Sequence, residues 1–94
     1  MITAERFKKQ VLEIADEIGI EPREVHVRKM TRKWGSCSTT GRLTFATALL
    51  EQCPAKRREV IVHELLHLRY PNHGRMFRLM LERHTKEVAG SLIE

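Results

Sequence analysis

Residues 63–73 read HELLHLRYPNH, and no other run restricts the fold of this chain as much. Val60, Ile61 and Val62 lead into it, and Leu65, Leu66 and Leu68 surround it with apolar groups, so the segment reads as a central, mostly buried helix. Pro54 suits a first helical turn. Pro71 prevents smooth continuation and biases Tyr70 away from helical geometry. The helix is therefore predicted from about Pro54 to Arg69. A buried helix does not normally carry His, Glu and His on one side without partners.

On a helix, His63 and His67 are separated by about 400°, which leaves them ~40° apart after a full turn and ~6 Å apart in rise. Both imidazoles thus project from one face and are placed to grip one ion. Glu64 sits about 60° around from His67, beside the ligands and better suited to act as a base than as a ligand. This is the HExxH arrangement of zinc peptidases. Zinc needs a third protein ligand, with the fourth position left for water. His73 is the natural candidate, because the turn at Pro71 lets the chain bring it back. His84 is a poor rival: on the same helix it would lie about 16 Å beyond His73. A closed structural site would instead need a thiol in the fourth position, from Cys37 or Cys53.

The rest of the chain supplies the surroundings. Phe7, Val11, Ile14, Ala15 and Ile18 form one stripe of a helix over residues 4–18, with Thr3 as N-cap and Gly19 as its left-handed end. Val25 and Val27 alternate with His26 and Arg28 as in a half-buried strand, which turns His26 toward solvent. Residues 32–48 read as a hairpin, with KWGSCS before a polar turn at 39–41 and RLTFA after it. Trp34 is expected in the core by default. A last helix is predicted over about 72–87, presenting Met76, Phe77, Met80 and Leu81, followed by an apolar tail at 88–93.

With 94 residues, the chain is expected to form one domain, 1–94, whose core is adequate but thin. The N-terminus has charges throughout and no apolar stretch before a cleavage site, and two cysteines in no CxxC arrangement suit reduced thiols. A cytoplasmic protein is expected, with no membrane association. The net charge of +5, clustered at Arg28-Lys29, Arg32-Lys33 and Lys56-Arg57-Arg58, makes a nucleic acid a candidate partner. Against this, aromatic content is only 5%.

Two stretches, TRKWGSCSTTGRLTF and VIVHELLHLRYPNHGRMF, resemble the YgjP-like metallopeptidase domain family, a neighbour of the SprT-like and WLM zincins. The second follows that family's H-E-L-x-H-L-x-x-x-N-H-x-x-x-F pattern throughout, and with the joining segment the two span residues 31–77. The resemblance implies His63, His67 and His73 as metal ligands and Glu64 as the catalytic glutamate. It also implies a zincin-like α+β fold: a small antiparallel β-sheet packed with an N-terminal helix, the HExxH active-site helix and a C-terminal helix. Tyr70 replaces the glycine of the metzincin motif HExxHxxGxxH, which argues against a true metzincin. Ala46, Thr47 and Ala48 stand where many relatives carry an N-W-R-like run. The expected function is zinc-dependent hydrolysis of a peptide or protein substrate, with Glu64 assisting water attack. The alternative is a non-catalytic zinc-containing binding module, associated with nucleic acid through the basic surface.

Overall fold

The computed structural model describes residues 1–93, with side chains through Thr85. Helix α1 (Ala4–Ile18) begins where the Thr3 hydroxyl accepts a hydrogen bond from the Arg6 amide, at 3.1 Å. It ends at Gly19, whose φ of 82° is favoured for a residue without Cβ. The predicted stripe is the buried face: Phe7, Val11, Ile14, Ala15 and Ile18 all enter the core.

Three strands follow: β1 (Glu24–Arg28), β2 (Gly35–Cys37) and β3 (Arg42–Ala46). Strands β2 and β3 form the expected hairpin, with Gly35 opposite Phe45 and Cys37 opposite Leu43. Its turn closes through the Gly41 amide to the Ser38 carbonyl at 3.2 Å, and Gly41 has a φ of 94°. The expectation of a purely antiparallel sheet needs correction. Strand β1 pairs with β3 in parallel, Val25 beside Leu43 and Val27 beside Phe45, so the sheet is mixed with order β1-β3-β2. Alternation in a sequence assigns faces to a strand but says nothing about its partner's direction. The α+β class stands, and β2 is left at an edge of the sheet.

After a 3-10 turn at Thr47–Glu51, α2 runs over Pro54–His67, with Pro54 in its first turn. Its last turn is closed by the Tyr70 amide bonding to the Leu66 carbonyl at 2.7 Å. Pro71 has no N–H to continue that ladder to His67, and the chain departs. Helix α3 occupies Arg75–Ile93, starting three residues later and running further than predicted. Side chains of the expected apolar tail at 88–93 lie outside the described ones.

Helix α1 packs against both β1 and α2, while α2 lies against β2 and α3. The core between them gathers Phe7, Leu43, Phe45, Leu49, Ile61, Leu65 and Leu66, each fully buried. Such side chains contribute roughly 1.5–3 kcal/mol apiece relative to exposure. They anchor α2, whose C-terminal half carries the half-buried His63 and His67. Among the described residues, no helix is long and apolar enough to cross a membrane.

Candidate metal centre

The turn at Pro71 returns the chain toward α2. The rings of His63 and His67 lie one turn apart with centroids 4.9 Å from each other. His73 joins them from the loop, 5.1 Å from His63 and 4.7 Å from His67 by centroid. One ligand nitrogen from each residue lies within 4.8 Å of the other two, and the Nε2 atoms of His67 and His73 are 2.8 Å apart. Ligand nitrogens on a tetrahedral zinc with Zn–N bonds of about 2.05 Å would stand roughly 3.3 Å apart. The His67–His73 spacing of 2.8 Å is somewhat shorter than that figure, and all three nitrogens lie within 4.8 Å of one another. The donor set is three imidazole nitrogens, which suits zinc or another borderline divalent ion. The residues present therefore fit a metal.

Glu64 lies beside this triad and is 7% exposed. Its Oε2 is 3.2 Å from the Nδ1 of His63. In the tautomer that donates from Nδ1 to this carboxylate, Nε2 keeps a lone pair for an ion. Glu64 and His67 open onto a cleft of about 580 Å³ shared with Lys33, Gly35, Ser36, Cys37 and Pro71. Strand β2 forms one wall. It comes so close that a Cβ added to Gly35 would stand 3.1 Å from the Glu64 Cγ. The WGSC run thus has a glycine where the strand meets the helix, a constraint that strand alternation alone does not reveal.

Cys37 also faces this cleft. Burial pushes its thiol pKa above the ordinary value, and the negative charge of Glu64 adds to the effect. Its Sγ donates to the Ser38 carbonyl at 3.5 Å. Both cysteines are free, and neither joins the histidine cluster. Cys53 caps the opposite end of α2, about 20 Å along the helix from His67. The thiol that a closed structural site would need is therefore not among the assembled ligands.

The remaining histidines and candidate side chains lie elsewhere. His26 is on the surface, 3.2 Å from Glu24; that hydrogen bond and then the charge of Arg42 hold the Glu24 carboxyl below its usual value. His84 belongs to α3, and its carbonyl accepts from Arg58 at 2.8 Å. Tyr70 is partly buried against the core, whereas Arg75 is exposed. Trp34 departs from the core role expected of it: it is 36% exposed, and the Lys56 ammonium lies 5.6 Å from its ring centroid. Phe77 is the residue whose role the periodicity did not suggest, since its ring touches all three imidazoles.

The profile of the YgjP-like metallopeptidase domain matches residues 2–90, and the chain belongs to that family. Its fold is similar to the metallopeptidase zymogen of Pyrococcus abyssi abylysin, with a TM-score of 0.72 at 20% identity, over 93% of this chain and 91% of that one. It is also similar to the metallopeptidase zymogen of Methanocaldococcus jannaschii jannalysin, with a TM-score of 0.70 at 26% identity, over 93% of each chain. No curated protein matches. Family and fold together define a metal-dependent peptidase acting on peptides or proteins.

Proposed function

We propose that this chain is a zinc peptidase of the HExxH type, in which His63, His67 and His73 hold the ion and Glu64 is the catalytic base. One observation carries the reading: imidazoles from both sides of the Pro71 bend meet within 4.8 Å, beside a carboxylate that is 7% exposed and lines a cleft together with His67. A zinc ion held there supplies Lewis acidity, lowering the pKa of water and polarising a carbonyl.

The protein's own groups do the rest. Glu64 takes a proton from the attacking water and delivers it to the leaving amine, which needs one carboxylate within reach of both. Its hydrogen bond to His63 fixes the orientation of the carboxylate between turns and the tautomer of the ring. Among the described residues strand β2 pairs with β3 alone, so its other edge offers main-chain groups to an extended peptide lying along the cleft. Main-chain pairing of this kind gives weak sequence preference. Two free thiols suit a reducing, cytoplasmic setting for this single zincin-like domain.

The Glu64→Gln variant tests the assignment. It keeps the size and the cleft but cannot accept the proton. Bound zinc, measured by elemental analysis, is expected to stay at the wild-type ratio, while hydrolysis of an unstructured protein falls by at least about 100-fold. Unchanged hydrolysis would remove Glu64 from the mechanism.

A further inference from the structure

We infer that Phe77 is a positioning residue for the metal centre, an aromatic wall that holds the three imidazoles in their gathered arrangement. This rests on the reading of His63, His67 and His73 as ligands and extends it to what orients them. Phe77 lies in the first turn of α3 and is 2% exposed. Its ring centroid is 5.2 Å from that of His63, met nearly edge-on at 82°. The rings of His67 and His73 both lie 4.7 Å away, tilted by 37° and 42°. Among the described residues no other side chain makes ring contact with all three.

Metal-bound histidines are ordinarily oriented by a hydrogen bond from the second ring nitrogen to a carboxylate, carbonyl or water. Among the described residues only His63 has such a protein partner, in Glu64. For His67 and His73, the hydrogen bond recorded among the described residues is the one between their own Nε2 atoms. Such a bond needs a proton on one of those nitrogens and is lost when both lone pairs are given to a cation. It cannot orient the rings in the loaded site. Contact with Phe77 survives that change, because it depends on shape alone.

The sequence spacing explains how one residue serves all three. Phe77 follows His73 by four positions and is carried by the helix that packs along α2, so it is inserted behind both the helical pair and the returning loop. A ring there limits rotation of each imidazole about its own Cβ–Cγ bond. Ligands ordered in advance lose less freedom when the ion binds, which is the general origin of gains from preorganisation. The wall also shuts water out behind the site, where low polarity strengthens the attraction between ion and ligands.

The test compares Phe77→Leu with Phe7→Leu. Phe7 is equally buried but packs against Phe45, away from the imidazoles. Zinc affinity is measured by competition with a chromophoric chelator, alongside the visible spectrum of the cobalt-substituted protein and the melting temperature of each metal-free variant. Phe77→Leu is expected to weaken zinc binding about 10- to 100-fold, as loss of an orienting partner does, and to shift or broaden the cobalt bands. Phe7→Leu should leave both unchanged at a comparable loss of metal-free stability. Phe77→Met serves the same comparison if the leucine variant does not fold. Wild-type affinity and spectrum in the Phe77 variant, or equal weakening in both variants, would overturn the inference. Failure of the wild-type protein to bind zinc would overturn instead the reading of the site on which it rests.

Discussion

Cys37 stands across the cleft from Glu64, and its chemistry reports on that carboxylate. The thiolate is the reactive form, so a pKa raised by burial and by the charge of Glu64 moves its reactivity to higher pH. Iodoacetamide at pH 8 is expected to modify the exposed Cys53 first, with the Cys37 rate still climbing above pH 9. Removing the charge with Glu64→Gln lowers the Cys37 pKa toward its ordinary value, so modification at pH 8 should accelerate. Mass spectrometry of the two peptides measures both rates, and an unchanged Cys37 rate in the variant would contradict the electrostatic contact. Several residues of this site were legible from spacing: a helix has one geometry, and positions 63, 64 and 67 have known directions on it. The return of His73 was legible only as an opportunity, created by Pro71. The placement of Trp34 was not legible, because a long aromatic side chain can cover a surface as readily as fill a core.

At the scale of elements, the junction of β2 and α2 sets the distance between cleft wall and base. Gly35→Ala would place a methyl group 3.1 Å from the Glu64 Cγ, 3.2 Å from the Phe45 ring and 3.2 Å from the Thr44 carbonyl. The backbone oxygen and the buried ring have little room to give. Overpacking of this kind typically costs about 1–3 kcal/mol. Thermal denaturation should show that loss, and turnover should fall more than bound zinc, because the methyl meets Glu64 directly and reaches the imidazoles only through its hydrogen bond to His63. A fully active and equally stable variant would show that the contact is slack. Helix α1 was legible to the residue, from Thr3 to Gly19, because both of its ends carry local signals that need no tertiary partner. The ends of α3 were less legible, since Asn72 can either begin a helix or precede one. The direction of β1 was not legible at all: it depends on the crossover, which local pattern does not encode.

At the scale of the whole molecule, the described residues enclose one cluster of buried side chains, and the ion is expected to reinforce it. Ligands of the native state stabilise it by mass action, about 2.7 kcal/mol when free zinc exceeds the dissociation constant 100-fold. An ion held by His63, His67 and His73 would tie α2 to the loop entering α3, so chelation should loosen that corner before it disturbs α1. The charge of +5 led to a nucleic acid as a candidate partner. Arg28, Lys29, Arg32 and Lys33 are exposed along one segment, whereas the family to which the chain belongs is one of metallopeptidases. Composition describes a surface and does not name what meets it. The cleft beside three imidazoles is the feature on which the functional reading depends. Its most direct test is elemental analysis of wild-type and His73→Ala protein, purified without chelator and dialysed against metal-free buffer. One zinc per chain in the wild type, with most of it lost in the variant, is the predicted result; wild-type protein without a stoichiometric transition metal, or a variant that retains the full complement, would contradict it.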